Sequence, residues 1–157
     1  MKTAIIYTSY HRKNTVKLAD TFTAAFDADE FPLLTSAATP DTAEYDLLGI
    51  GSGVYKWKFH EKLLLWISNL PEGEGRPVFL FSTSAFNNAK FHDEPKKLLE
   101  DKGYEVIGDF HCKGSSHFLP AFLLGGMAKD RPNASDLEAA NRFADRIRQR
   151  MEHRKPL

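Results

Sequence analysis

Residues 2–7 carry the apolar run Ala4-Ile5-Ile6-Tyr7, the pattern of a short strand buried on both faces of a parallel sheet. Apolar side chains then recur at helical spacing through Val16, Leu18, Ala19, Phe22, Ala25 and Phe26, with Asn14 or Thr15 placed to cap that helix. The alternation continues along the chain. Residues 31–34 read as a second strand, and Pro32, which cannot donate to a ladder, assigns it to the sheet edge. Residues 45–51 read as a third strand running into a glycine-rich, aromatic loop at 51–59. Leu63, Leu64, Trp66, Ile67 and Leu70 form the apolar face of a second helix, which Pro71, Gly73 and Gly75 stop.

Residues 77–81 are uninterruptedly apolar and lead into the hydroxyls of Ser82, Thr83 and Ser84. A helix over 92–102 closes at Gly103, and residues 104–112 form a fifth strand with partial alternation. After the long stretch 113–135, Ser135 is placed to cap the last helix, with Glu138 completing a capping box and Leu137, Ala140, Phe143, Ala144 and Ile147 facing the core. Strands alternating with helices predict right-handed parallel crossovers in one α/β domain over residues 1–157, with ligands held beyond the carboxyl ends of the strands.

Composition narrows the class. Lys plus Arg and Asp plus Glu both number 21, so no field of one sign favours nucleic acid or an anionic membrane. The basic run after Arg142 reads as cations complementing a helix C-terminus. A lone Cys112 excludes an intrachain disulfide and suits a reducing, cytoplasmic setting; it reads as a small buried hydrophobe. No stretch reaches the ~20 apolar residues of a membrane span. The six histidines show no zinc-binding spacing, and no metal is expected. Walker, GxGxxG and GxSxG patterns are absent, and Asp46 stands at the start of its strand rather than at the phosphoacceptor end of a receiver domain.

The strand ends hold the candidate chemistry. Thr8, Ser9, Asn14 and Thr15 offer hydroxyls and an amide at a helix start, where a phosphate would be favoured; capping alone is the plainer explanation for Asn14 or Thr15. Ser52, Gly53, Tyr55 and Trp57, with Ser82, Thr83, Ser84 and Phe86, provide aromatics among backbone amides, a combination that can hold a flat ring and read its polar edge.

The order of that first strand and polar loop, then "DLLGIGSGVYKWKFHEKLLLWI", "VFLFSTSA" and "GYEVIGDFHCKG", resembles the flavodoxin-like proteins over essentially the whole chain. It is most similar to single-domain members with an F-x-C-x-G stretch, here Phe110-His111-Cys112-Lys113-Gly114, and with Gly125-Gly126 followed by Pro132-Asn133. The resemblance implies a three-layer α/β/α flavodoxin-like sandwich with a five-stranded parallel sheet, order 2-1-3-4-5, and non-covalent FMN. It implies cofactor contacts from Thr8, Ser9, Tyr10, His11, Arg12, Lys13, Asn14 and Thr15, the phosphate falling to Ser9, Asn14 and Thr15. Ser52, Gly53, Val54, Tyr55, Lys56 and Trp57, with Ser82, Thr83, Ser84, Ala85 and Phe86, would flank the isoalloxazine, and His117 is a candidate to face it. Lys13 stands where the family usually has a glycine, and with His11 and Arg12 it could pair with the phosphate. The expected function is a flavoprotein, either an electron-transport carrier with a redox partner protein or an oxidoreductase acting on a small acceptor, as a monomer or homodimer. The alternative is a flavodoxin-fold protein without flavin, serving as a binding or scaffold module.

Overall fold

The protein is described from a computed structural model covering residues 1–10, 14–86, 88–114 and 131–154. Its strands are β1 (Thr3–Thr8), β2 (Asp29–Pro32), β3 (Leu47–Tyr55), β4 (Lys58–Phe59), β5 (Pro77–Ser84) and β6 (Glu105–Lys113). All pair in parallel in the order β2-β1-β3-β5-β6, except the two-residue β4, which folds back antiparallel on β3. Counting the parallel strands alone gives the expected 2-1-3-4-5, with the proline-bearing β2 at the edge.

Among the described residues, four helices cover the sheet: α1 (Asn14–Phe26), α2 (Glu61–Ser68), α3 (Asp93–Asp101) and α4 (Ala134–Glu152). Alternate strand residues feed opposite faces, so Ile5, Phe79 and Phe81 meet Leu18 and Phe22 of α1 and Phe143 and Ile147 of α4. Ala4, Ile6, Leu48, Ile50, Val78 and Leu80 pack on the other face under Leu63, Leu64 and Ile67 of α2 and Leu99 of α3. Each such fully buried side chain contributes about 1.5–3 kcal/mol relative to exposure, so these two apolar layers rather than helix propensity hold the helices in place.

Two glycines of β3 are required by this packing. A Cβ on Gly51 would lie 2.1 Å from Cε2 of Phe81, and one on Gly49 would lie 2.4 Å from Cζ of Phe79. The aromatic rings of β5 thus occupy the volume that β3 leaves free.

Besides β2, which lies two residues earlier than the expected 31–34, three local features differ from the sequence expectation. The glycine-rich loop at 51–59 is mostly strand: β3 runs through Tyr55 and turns back into β4 at Lys56 and Trp57, both at positive φ of 47° and 69°. Ser82, Thr83 and Ser84 likewise belong to β5 rather than to a loop, because β6 continues to pair with them. Finally, α4 is capped by Asn133 and not by Ser135. Its side chain accepts from the Asp136 amide while Asp136 bonds back to the Asn133 amide. Asp136 also receives a bidentate pair from Arg131 at 2.5 and 2.7 Å, which outcompetes the exposed Ser135/Glu138 alternative.

Candidate functional site

The apolar runs end along one line across the sheet. Thr8 pairs with Ser52, Ser52 with Ser82, and Ser82 with His111, one residue beyond the row Tyr7, Gly51, Phe81 and Phe110. Each strand therefore changes from core to polar at the same height, at the carboxyl edge where doubly wound sheets bind ligands.

Part of this polar row is spent on holding the fold. Ser52 Oγ donates to Gly53 O at 2.6 Å, accepts from the His60 amide at 3.0 Å and lies 3.0 Å from Thr8 Oγ1, which uses its full hydrogen-bonding capacity. His60 in turn caps α2 through Nδ1, so Ser52 ties β1, the β4 hairpin and a helix start together. On the other face Thr15 Oγ1 lies 3.0 Å from Thr83 Oγ1, fastening the start of α1 to β5, and Ser84 Oγ donates to Phe86 O. Gly114 closes against α1 and β5, where an added Cβ would come 2.9 Å from Asn14 Nδ2 and 3.2 Å from Thr83 Cβ.

Ser9 differs from these. Its Oγ is buried and has no hydrogen-bond partner, immediately after β1 and beside the N-terminus of α1. A buried hydroxyl without a partner is costly, by about 1–3 kcal/mol, and Thr3, Thr42 and Tyr104 carry others at the opposite edge of the sheet. His11, Arg12 and Lys13 of the same connection lie outside the described residues, as does His117.

The aromatic residues expected at this edge divide by exposure. Phe59 is core, with 1% of its surface exposed, whereas Tyr10, Trp57 and Phe86 are 66%, 69% and 50% exposed. Trp57 and Phe86 stack face to face, centroids 5.5 Å apart and planes at 15°. Tyr55, half-buried over Gly53, accepts from the Tyr10 amide at 2.9 Å and meets the Tyr10 and His60 rings edge-on. Val54 is half-buried beside the apolar layer, Lys56 is exposed at the hairpin tip, and Ala85 follows β5 towards Phe86. The positive φ of Lys56 and Trp57 costs of order 1 kcal/mol at each residue and places the indole at the tip of the hairpin.

A polar trio lies beneath, with Ser82 and His92 buried and Asp109 exposed. Ser82 Oγ is 2.6 Å from Nε2 of His92, and Nδ1 of His92 is 3.4 Å from Oδ2 of Asp109. That second separation is long for a hydrogen bond and acts as a charge contact. The direction of the Ser82–His92 bond follows the tautomer of the imidazole. Interaction with His92 holds the Asp109 carboxyl below its ordinary range against an opposing desolvation, and burial, then the His92 charge, lowers His111. A β-bulge makes the trio possible. The register passes from Val78↔Val106 to Phe79↔Gly108, and this extra residue turns Asp109 and His111 towards α3. The order hydroxyl, imidazole, carboxylate is that of a hydrolytic triad, but Ser82 is fully buried within β5 and presents no nucleophile. Sequence reasoning missed His92 and Asp109, which only the bulge and the turn Ala89–His92 bring together.

Cys112 is buried, and that burial, with the Asp136 charge second, pushes its thiol up to about 12. Among the described residues no cluster of His, Cys, Asp and Glu could hold a metal, and no helix is long and apolar enough to cross a membrane.

No protein-family profile matches the chain. The fold is that of flavodoxins. Flavodoxin 1 from Bacillus cereus superposes with a TM-score of 0.68 at 13% identity, over 99% of this chain and 100% of that one. A flavoprotein in complex with FMN from Lactobacillus acidophilus superposes with a TM-score of 0.53 at 22% identity, over 70% and 92%. An uncharacterized protein of Methanocaldococcus jannaschii is 37% identical over 150 residues, covering 94% of this chain and 98% of that protein. The chain belongs to the family of that archaeal protein, with a flavodoxin-like fold.

Proposed function

We propose that the protein binds FMN at the carboxyl edge of its sheet and works as a redox protein, carrying electrons or reducing a small acceptor. The observation that carries this reading is the partnerless, buried Ser9 hydroxyl beside the start of α1. A phosphate there would satisfy the hydroxyl and be favoured by the positive end of the helix. Support also comes from the flavodoxin-like fold and from the FMN bound by the Lactobacillus acidophilus relative in fold.

FMN supplies one- and two-electron transfer when bound. The chain's own part is binding and shielding. Ser9 and Asn14 with the first amides of α1 take the phosphate, while the Thr15–Thr83 bond keeps that helix start fixed against the sheet. Trp57 and Phe86 provide the apolar faces for a flat ring. Their 5.5 Å separation must widen, since a ring between them makes two stacking contacts of about 3.5–4 Å each, and the exposed hairpin tip is free to give.

Purified protein carrying FMN would absorb visible light and release FMN on denaturation. Replacing Ser9 by Ala should weaken FMN by about 10- to 100-fold, the worth of one hydrogen bond to a charged group, and leave riboflavin nearly unchanged. Protein that takes up no FMN, or equal losses for the two ligands, overturns the reading. The contact between Trp57 and Phe86 favours a second one, a flavin-free binding module, which that same negative result would select. Anaerobic reduction by NADH or NADPH, with and without a quinone, then separates a reductase from a carrier.

A further inference from the structure

The zero net charge conceals a separation. Between the strand ends and the following helices, the described residues carry exposed Lys56, Lys58, Lys90 and Lys113 and no Asp or Glu. Arg131 is there too, engaged by Asp136. The first carboxylates met beyond the connections are Glu61, Asp93 and Glu94, in the opening turns of α2 and α3, with Glu61 3.7 Å from Lys58. At the opposite edge the connections carry exposed Asp27, Asp41, Glu44, Asp46, Glu72 and Glu74, with Lys2, Arg76 and Lys102 as counter-charges, joined there by Arg148 and Arg154 from the end of α4, which bond Ala25 O and Gly75 O. Lys2 is bound to Glu44, and Lys102 donates to Leu70 O. Helix N-termini add partial positive charge at the lysine-bearing edge.

That same edge exposes Tyr10, Trp57 and Phe86. Exposed aromatics ringed by cations have the make-up of a protein-docking surface, with an apolar centre and a charged rim. We propose that this edge docks an acidic protein partner, whose carboxylates face Lys56, Lys58, Lys90 and Lys113 while its apolar centre covers Trp57 and Phe86. The proposal rests on the redox reading for what passes across the contact, and on charge complementarity for who makes it. An acidic partner is steered in by the lysines and oriented by the acidic far edge, which repels it. A basic partner would be drawn to the wrong end of the molecule.

The test is binding of two probes, an acidic iron–sulfur ferredoxin and a basic cytochrome c, followed calorimetrically with protein free of FMN and with protein incubated with FMN. The ferredoxin should bind at low salt and weaken steeply towards ~0.15 M, where the screening length is about 8 Å. The pair Lys56→Glu and Lys90→Glu should weaken it about tenfold or more, because rim repulsion replaces attraction, and the neutral pair Lys56→Gln and Lys90→Gln should fall between. Glu72→Lys at the far edge should not weaken it. Preference for cytochrome c, ferredoxin binding indifferent to both lysine pairs, or no binding of either probe overturns the proposal. Self-association in sedimentation that either lysine pair abolishes would also overturn it, by making a second copy of the chain the occupant. Failure to bind FMN together with lysine-dependent ferredoxin binding would sink the flavin reading and leave the docking surface standing.

Discussion

Cys112 shows how much a single residue's surroundings decide. The thiol lies in the α1/α4 apolar layer, so the cost of a buried thiolate, reinforced by Asp136, raises it from 9.0 to about 12. Below pH 9 both folded and unfolded chains hold the proton. Between pH 9 and about 12 only the folded chain does, so the stability conferred by the neutral thiol is lost as the pH rises through that window. Alkylation by iodoacetamide should be negligible at neutral pH and become appreciable only on approach to unfolding. The fall in denaturant midpoint above pH 9 should be shallower in Cys112→Val; a fall unchanged in that variant would place its origin elsewhere. Ser9 and Ser52 make the complementary point. Both are serines at strand ends, yet one is saturated by three protein partners and the other has none.

At the scale of elements, α4 depends on its first turn. Asp136→Ala removes half of the capping box and leaves the partly buried Arg131 without its carboxylate, so unfolding free energy should drop by about 2–3 kcal/mol. Ser135→Ala should change it by no more than a few tenths, since its hydroxyl caps nothing. Thermal or denaturant unfolding of the two variants checks this, and equal effects would contradict the assigned cap. The same helix marks where sequence reading succeeds and stops. Apolar periodicity located the five parallel strands and four helices described, because burial in two layers leaves a strong pattern. Their ends were less legible. Ser82, Thr83 and Ser84 look like loop residues, but backbone pairing with β6 holds them in the sheet. Ser135 with Glu138 satisfies the capping rule as well as Asn133 with Asp136, and only the Arg131 contact separates them. The polar row at the strand ends was legible in the sequence, whereas the division of its hydroxyls between bonded and unbonded ones depends on distances that no spacing encodes.

For the molecule as a whole, the relevant quantity is the arrangement of charge rather than its sum. Twenty-one charges of each sign cancel, yet among the described residues the connections at the carboxyl edge carry exposed lysines without carboxylates, while those at the amino edge carry mostly carboxylates, offset in part by Arg76, Arg148 and Arg154. A neutral sum disfavours nucleic acid and anionic membranes as partners, but the placement of charge still orients a partner. Helices antiparallel to the strands strengthen the same polarity, and sequence composition alone could not reveal it.

The row Thr8, Ser52, Ser82 and His111 can also be regarded as a gauge that the four strands must read alike. Side chains alternate between faces, so losing one residue from a strand interior changes the face of everything beyond it. Deleting Ile6 would carry Thr8 from the α2/α3 side towards α1 and break its contact with Ser52. In the same stroke it would bring the ends of β1 and the hairpin base out of step. Single-residue deletions in β1, β3 or β5 should therefore abolish soluble folded protein, whereas a deletion at Ala38 or Thr39, in the exposed β2–β3 connection, should leave circular dichroism and the unfolding midpoint close to the parent chain. Chain length within these strands is thus specified to the residue, and the site's floor stays level only while every strand keeps count.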